Sequence, residues 1–176
     1  MRERRAHASF NRRGVKQRMD SKDLKILSIL QENATLPVAE ISKRIHLSQT
    51  PCWRRIQKLE EAGVIERKVA ILNPAAVGFG ISAFVEIQAS DHSADWHERF
   101  SEACLSMPAV MEVHRMAGEV DYLLRVAVRS MADFDAFYRE LVAKVPAKNV
   151  TSRFSMERVK STTAFPLVPP ASPPAR

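Results

Sequence analysis

Ser48 to Gly63 reads SQTPCWRRIQKLEEAG, and this stretch decides how the first part of the chain folds. At the roughly 100° per residue of an α-helix, Cys52, Ile56 and Leu59 fall on one face. The opposite face carries Thr50, Arg54, Gln57 and Lys58. An apolar face packs on a protein core, whereas a polar and basic face is free to contact another molecule. The stretch therefore predicts an amphipathic helix with a basic outer face.

Both ends of this helix are marked in the sequence. Ser48 is a favourable N-cap residue, and Pro51 fits the first turn because the N–H that proline lacks has no helical partner there. Gly63 readily takes the left-handed conformation in which many helices end. The helix is therefore expected to begin after Ser48 and to stop before Gly63.

Two further helices are expected before this one. The first begins at Asp23 and ends near Asn33, and the second has Pro37 in its first turn and ends near Ile45. The first helix carries apolar residues at helical spacing: Leu24, Ile26, Leu27 and Leu30. Only two residues separate the second helix from Ser48. Two short helices joined by so tight a turn predict a helix-turn-helix, whose second helix enters the major groove of DNA.

The cap and outer face of the Ser48 helix supply side chains that suit DNA. Arginine and lysine pair with phosphate or guanine, while glutamine, serine and threonine bond base edges or the backbone. The candidate DNA-binding residues are Ser48, Gln49, Thr50, Trp53, Arg54, Arg55 and Lys58. Trp53 lies between the two faces, a position where tryptophan is more often a packing residue. An ordinary three-helix bundle with a solvated charged face is the alternative interpretation.

Most of the positive charge precedes these helices. Residues 1–19 carry seven basic and one acidic side chain, residues 20–74 nine and seven, and residues 75–176 eleven and twelve. The basic arm lacks apolar periodicity and is expected to be disordered. It either adds phosphate contacts or is a dispensable extension before a native start at Met19. The helical region itself is only slightly basic, so tight DNA binding is expected to need several recognition helices presented together.

Cysteine usage and hydropathy exclude several classes of protein. Cys52 and Cys104 are the two cysteines, and their spacing suggests neither a disulfide framework nor a zinc site. No apolar region follows the basic arm as in a signal peptide, and no run approaches the roughly 18 apolar residues that span a bilayer. A reduced cytoplasmic protein without a metal or cofactor is expected.

The second half of the chain has the pattern of a ferredoxin-like fold. A short wing or linker strand is expected over 64–72, and a hinge over 75–80. The pattern then predicts strands over 81–87, 110–116, 122–128 and 150–159, and helices over 96–107 and 130–145. Ser130 and Asp133 form a capping box at the start of the second helix. In this βαββαβ order, helices cover one face of an antiparallel sheet and leave the other face to be buried by something else.

The predicted fold class is therefore α+β with two domains. The expected divisions are a basic arm at 1–19, a helix-turn-helix domain at 20–65, a wing and linker at 66–79, a ferredoxin-like domain at 80–165 and a proline-rich, disordered tail at 166–176.

Four motifs in this order resemble those of the leucine-responsive regulatory protein/AsnC (Lrp/AsnC) family of bacterial and archaeal transcription regulators. The motifs are LSQTPCWRRIQKLEEAGVI at 47–65, ILNP at 71–74, GEVDYLL at 118–124 and VKSTTAFPL at 159–167. The resemblance covers Asp20 to Leu167. The family often has proline where this chain has Gln49, a difference that the first helical position tolerates.

The resemblance implies a winged helix-turn-helix followed by a ferredoxin-like effector-binding and oligomerisation domain. It implies a sequence-specific transcriptional regulator whose assembly or DNA affinity responds to an amino acid or related metabolite. In such proteins the open sheet faces pair to form dimers, which assemble to tetramers or octamers. The expected partners are double-stranded DNA with a pseudo-palindromic operator, further copies of the chain and the effector, in the cytoplasm at the nucleoid.

The family binds its effector at the turn between the second and third strands. Transferred by motif, the effector-binding residues are Met116, Ala117, Gly118, Glu119, Val120 and Asp121, with Arg153 and Ser155 contributed by a neighbour. Gly118 would present a free N–H to a carboxylate, while Glu119 or Asp121 would receive an ammonium group. Val120 would affect which side chain fits. The alternative is that Gly118 merely shapes the hairpin and Asp121 caps it.

Arg115 and Arg153 are less usual in the family, which leaves an acidic or non-amino-acid effector possible.

Two other functions remain open from the sequence. An architectural DNA-binding protein that ignores small molecules would share the first domain and the oligomer. An enzyme would use Glu112 and His114, on one strand face near Asp121, as a general base or metal site. No nucleophile or phosphate-loop motif supports this last interpretation.

Overall fold

The computed structural model describes residues 19–167, which form two compact units. The first unit comprises residues 19–70 together with 162–167, and the second comprises Ile71–Ser161. The predicted basic arm at 1–18 and the tail at 168–176 lie outside the described residues. The first unit thus draws on both ends of the described chain, whereas the sequence pattern placed residues 162–165 with the second domain.

Three helices form the first unit. They are α1 (Ser21–Glu32), α2 (Val38–Arg44) and α3 (Gln49–Glu61). Helix α1 begins two residues earlier than predicted because Asp20 caps it. The Asp20 carboxylate accepts the N–H groups of Lys22 and Asp23, and the Asp23 carboxylate accepts the N–H of Asp20. This reciprocal capping box satisfies N–H groups that have no partner within the helix.

Both ends of α3 lie where the sequence predicted, but only one uses the expected chemistry. Ser48 is the N-cap by position, yet its side chain makes no capping hydrogen bond. Gly63 adopts a φ of 70°, and the N–H of Val64 donates to the Leu59 carbonyl at 2.9 Å. This is the bonding pattern of a helix that ends in a left-handed glycine.

Apolar faces of the three helices meet in one core. Its buried residues are Ile26, Leu27, Ile41, Ile45, Cys52, Ile56 and Leu59. The tight connection between α2 and α3 passes through His46, which has a φ of 54°. The N–H of Leu47 then donates to the Ser42 carbonyl at 3.0 Å. The arrangement is the predicted helix-turn-helix, with the apolar face of α3 inward.

The expected strand over 64–72 is wrong. Between Gly63 and Ile81 the described chain forms only a single 3-10 turn, Ala75–Val77. The apolar side chains at 69, 71 and 72 point into solvent, with exposed fractions between 62% and 73%. Because no strand among the described residues pairs with this segment, alternation in the sequence is not enough to make it a strand.

The second unit is the predicted ferredoxin-like fold. Its elements are β1 (Ile81–Ala89), α4 (Ala94–Ser106), β2 (Val110–Arg115), β3 (Tyr122–Val128), α5 (Met131–Lys144) and β4 (Ala147–Phe154). The strands form one antiparallel sheet in the order β2-β3-β1-β4. Ser130 and Asp133 make the predicted capping box of α5.

Alternating residues of the two central strands place the core on the helix-covered face. The buried side chains of β1 and β3 are Ala83, Val85, Ile87, Ala89, Tyr122, Leu124, Val126 and Val128. They pack against the apolar stripes of α4 and α5, including Trp96, Phe100 and Phe137. Burial raises the pKa of the Cys104 thiol to about 12, which makes Cys104 an unreactive packing residue.

Strand β4 begins and ends earlier than the predicted 150–159. Its last residue, Phe154, pairs with Ala83 near the start of β1. Beyond that point β1 offers almost no backbone to pair with, so the chain leaves the sheet and Met156 is fully exposed. A bulge at Gln88 and Ala89 extends pairing at the other end to Ala147. Among the described residues, every helix is too short or too polar to cross a membrane.

Candidate nucleic-acid interface and effector turn

Six of the seven predicted DNA-binding side chains lie exposed on α3 or its cap. They are Ser48, Gln49, Thr50, Trp53, Arg54 and Lys58. Trp53 is 51% exposed and does not join the helix-turn-helix core, so its ring is available at the surface. The N-terminal end of α3 therefore presents hydroxyl, amide, indole and basic groups together, as a helix that reads a DNA groove requires.

Arg55, the seventh predicted residue, is engaged within the protein. Its Nη1 atom lies 2.7 Å from Asp20 Oδ2 and 2.7 Å from Asp23 Oδ1. These hydrogen bonds raise the pKa of the Arg55 guanidinium. Sequence reasoning missed this contact because the two aspartates precede Arg55 by more than thirty residues. The one available signal was the spacing of Asp20 and Asp23, which suits a capping box.

The turn between β2 and β3 is closed by its own backbone. The N–H of Met116 donates to the Asp121 carbonyl at 2.8 Å. Gly118 has a φ of 126°, a conformation that side-chain-bearing residues rarely adopt. A methyl group added at Gly118 would meet no atom within 4 Å, so backbone angle rather than crowding calls for glycine there.

Asp121 anchors this turn to the end of β1. Its Oδ2 accepts the N–H of Ala89 at 2.8 Å, and its own N–H donates to the Ile87 carbonyl at 3.0 Å. The Nδ1 of His92 lies 3.8 Å from Asp121 Oδ1. The Asp121 side chain thus ties the turn to the end of β1.

Glu119 lies differently from Asp121. Its carbonyl accepts a hydrogen bond from Gln88 Nε2 at 3.0 Å, while its carboxylate has no hydrogen-bond partner among the described residues. Met116, Ala117 and Gly118 are also exposed, and Val120 is half-buried. Glu119 is therefore the carboxylate of the turn that is free to receive an ammonium group.

Arg153 and Ser155 do not meet this turn within one chain. Arg153 pairs with Phe84 across the sheet, and its Nε and Nη2 atoms lie 2.8 and 3.1 Å from the two Glu86 carboxylate oxygens. Ser155 donates its N–H to the Ser82 carbonyl at the start of β1. The turn lies at the opposite end of β1, so any joint site needs a second chain, as the resemblance implied.

Glu112 and His114, the residues considered for catalysis, lie in a surface cluster in which Glu112 forms an ion pair with Arg125. Arg125 Nη2 lies 2.6 Å from Glu112 Oε1, and His114 Nε2 lies 3.2 Å from Glu112 Oε2. Arg125, with a smaller contribution from His114, holds the pKa of Glu112 below its usual range. Such a carboxylate is a weak base. The described residues contain no cluster of three possible metal ligands.

Comparisons with known proteins agree with this arrangement. The winged helix-turn-helix DNA-binding model matches residues 19–66, and the Lrp/AsnC ligand binding domain model matches residues 82–165. The DNA-binding transcriptional activator DecR of Escherichia coli is 43% identical over 150 residues, which cover 85% of this chain and 99% of DecR.

Two solved structures share the architecture. The AsnC family transcriptional regulator from Agrobacterium tumefaciens is 52% identical, with a TM-score of 0.81 over 85% of this chain and 97% of that one. A transcriptional regulator from Neisseria meningitidis, solved as an L-Met complex, is 35% identical, with a TM-score of 0.80 over the same shares. The chain thus belongs to the Lrp/AsnC family and is a DNA-binding transcriptional regulator with a ligand-binding domain.

Proposed function

We propose that α3 is the recognition helix and that its exposed residues contact DNA. The proposed contacts are Ser48, Gln49, Thr50, Trp53, Arg54 and Lys58. The observation that carries this proposal is the exposure of all six, from the N-cap to the last turn of a helix whose opposite face is buried. Arg55 differs because two carboxylates already hold its guanidinium.

Arg54→Ala tests this assignment of α3. The variant lacks the guanidinium that would bond a phosphate or a guanine of the operator. The operator should therefore bind about tenfold more weakly, within the range for a charge-assisted hydrogen bond. Binding is measured by fluorescence anisotropy at fixed salt, together with the molecular mass of the oligomer. Unchanged affinity at an unchanged mass would remove Arg54 from the interface.

We infer that the β2–β3 turn binds an amino acid or a related metabolite. The N–H of Gly118 donates to no acceptor among the described residues, and the Glu119 carboxylate has no hydrogen-bond partner there either. An α-amino acid carries the complementary pair, a carboxylate and an ammonium group. The relative solved with L-Met supports this class of effector. Arg153 and Ser155 of a second chain are proposed to complete the site.

Calorimetry against neutral, acidic and basic amino acids tests the effector assignment. Binding of one of them should change DNA affinity, and DNA should change the affinity for that amino acid by the same factor. No heat and no thermal shift with any amino acid would instead favour an effector-independent architectural protein.

The remaining parts of the proposal concern assembly, location and the absence of catalysis. The sheet face opposite the helices supports pairing into dimers, which would present two recognition helices to a pseudo-palindromic operator and build tetramers or octamers.

A DNA-binding regulator works on the chromosome, so we place it in the cytoplasm at the nucleoid. The ion-paired state of Glu112 supports a function without catalysis. A metabolite screen that found turnover abolished by His114→Ala would contradict it.

A further inference from the structure

We propose that Arg55 is a positioning residue, which fixes α3 on the first turn of α1 and supports DNA binding without touching DNA. The inference rests on the proposed role of α3 as the recognition helix. It assigns Arg55, the seventh DNA-binding candidate of the sequence, together with Asp20 and Asp23, to the contacts that hold the helix-turn-helix together.

The geometry of the ion pairs carries this assignment. One atom, Arg55 Nη1, lies 2.7 Å from a carboxylate oxygen of each aspartate. The Asp23 side chain is only 16% exposed and that of Arg55 32%, so this pair is shielded from water more than an ordinary surface ion pair. Charge-assisted hydrogen bonds of this length are about twice as strong as neutral ones.

The two aspartates are themselves fixed. Asp20 is the N-cap of α1, and Asp23 bonds back to the Asp20 N–H to complete the capping box. Arg55 is therefore bound to a turn whose backbone and side chains are already ordered. Because the two aspartates are already ordered, their pairing with Arg55 costs less side-chain entropy than pairing with mobile carboxylates would.

The same turn of α1 also holds the connection between α2 and α3. The Lys22 ammonium donates to the Ile45 carbonyl at the end of α2, directly before the left-handed residue His46. The first turn of α1 thus bonds both sides of the helix-turn-helix connection. Without the Arg55 hydrogen bonds, α3 would keep its core packing but lose its polar attachment to this turn, while Lys22 still bonded the end of α2.

Electrostatics argue against a direct phosphate contact by Arg55. Two carboxylates neutralise its charge and leave the three groups with a net negative charge, which repels phosphate. Arg54 points about 100° away around the helix and has no ion-pair partner among the described residues. The adjacent arginines therefore have different tasks, and each is a matched control for the other.

The first test compares Arg54→Gln with Arg55→Gln across a series of salt concentrations. Removing one arginine that neutralises a phosphate reduces the slope of log affinity against log salt by about 0.9. We expect Arg55→Gln to weaken operator binding about tenfold at every salt concentration with the wild-type slope. A slope reduced by about one, or an unchanged affinity, would overturn the proposal. If Arg54→Gln alters neither affinity nor slope, Arg54 is removed from the proposed DNA contacts, and the result for Arg55→Gln still decides whether Arg55 acts by positioning.

The second test removes the two carboxylates while it retains the cap. Asparagine is as good an N-cap as aspartate, and glutamine serves at the third helical position of a capping box. Asp20→Asn with Asp23→Gln should therefore weaken DNA binding about as much as Arg55→Gln, and combining all three changes should add little. If Arg55 contacts DNA directly, removing two nearby anions should tighten binding. Tighter or unchanged binding would thus contradict positioning.

Folding is controlled in the same experiments. Thermal unfolding identifies a temperature at which all variants are folded, and binding is measured below it. Hydrogen exchange of the α3 amides adds a local measurement, in which Arg55→Gln should speed exchange and Arg54→Gln should not. Arg55→Lys retains one charged donor and should restore part of the affinity and protection. Wild-type exchange in Arg55→Gln would overturn the proposal even if its affinity fell.

Discussion

The Asp20 carboxylate makes three interactions, because it accepts the N–H groups of Lys22 and Asp23 at the start of α1 and pairs with Arg55. The hydrogen bond from the Asp23 backbone, aided by Arg55, holds the pKa of Asp20 below its usual range. A carboxyl group with a lowered pKa stabilises the folded state at pH values above its unfolded pKa, about 4. That stability disappears as the pH falls through the lower pKa of the folded state.

Asp20→Asn makes this pH dependence measurable. Asparagine still caps the helix but cannot ionise, so the variant should be less stable than the wild type at neutral pH. The difference in unfolding midpoint should persist down to about pH 4 and shrink below it. Urea unfolding followed by circular dichroism over this pH range provides the comparison. A difference that stays constant to low pH would show that the Asp20 charge does not stabilise the fold.

At the scale of helices and strands, the spacing of apolar residues predicted the elements that bury one face on a core. The apolar faces of α3 and α5 and the alternation of β1 and β3 follow from burial on one side, and each element lies where the sequence placed it. Two predictions, a strand over 64–72 and the bounds 150–159 for β4, were wrong for the same reason. Whether a segment is a strand, and where the strand ends, depends on the backbone of its neighbour, which periodicity does not include.

The candidate site was predictable to the same extent. Exposure of the α3 side chains follows from the helical period, and the turn at Gly118 follows from its position between two alternating runs. The roles of single charged residues were not predictable. Arg55 and Asp121 are both bonded to groups about thirty residues away in the sequence, and no local spacing records such pairings.

The hairpin turn has one structural and one free carboxylate, which separates two effects of mutation. Asp121→Ala leaves the Ala89 N–H without its acceptor, so it should loosen the turn and lower the unfolding midpoint. Glu119→Ala should leave stability unchanged, because that carboxylate has no partner among the described residues. Both should weaken effector binding, Asp121→Ala through the shape of the turn and Glu119→Ala through removal of the ammonium partner.

Calorimetry and thermal unfolding of the two variants distinguish these roles, with DNA affinity in the absence of effector as the control. That affinity should remain close to the wild-type value in both. If Glu119→Ala binds the effector with wild-type affinity, the assignment of Glu119 as the ammonium partner is wrong.

At the scale of the whole molecule, the end of the described chain belongs to the DNA-binding unit. The Phe165 N–H donates to Gln31 Oε1 at 2.7 Å, and Gln31 Nε2 donates to the Phe165 carbonyl at 3.2 Å. Leu167 packs against the helix-turn-helix core. The chain therefore leaves the first unit after Ala70 and returns to it at Thr162, so two segments join the ligand-binding unit to the DNA-binding unit.

Leu167→Ala tests whether this returning segment stabilises the DNA-binding unit. Truncation of a partly buried leucine side chain should cost about 1 kcal/mol and lower the unfolding midpoint. Phe165→Ala is the matched control, since Phe165 contributes backbone hydrogen bonds and the residue is 75% exposed. Thermal unfolding should separate the two variants. Equal midpoints would show that the segment lies on the helices without stabilising them.

Assembly also depends on the whole molecule, and a substitution at Phe84 tests whether the proposed dimer forms through the open sheet faces. Phe84 is 37% exposed on the open sheet face and lies in register between Arg125 and Arg153. In a monomer, a glutamate at this position would be exposed to solvent beside two arginines, so it should not destabilise the fold. Burying the same charge in a dimer would be costly.

Phe84→Glu should therefore shift the molecular mass, measured by light scattering, toward the monomer. Leu105→Glu introduces the same charge at an exposed site on the helix-covered side and should leave the mass unchanged. Because the helical region is only slightly basic, one recognition helix binds weakly and the monomer should also lose affinity for a two-site operator. Its affinity for a single half-site should stay the same. An unchanged mass in Phe84→Glu would place the dimer interface elsewhere.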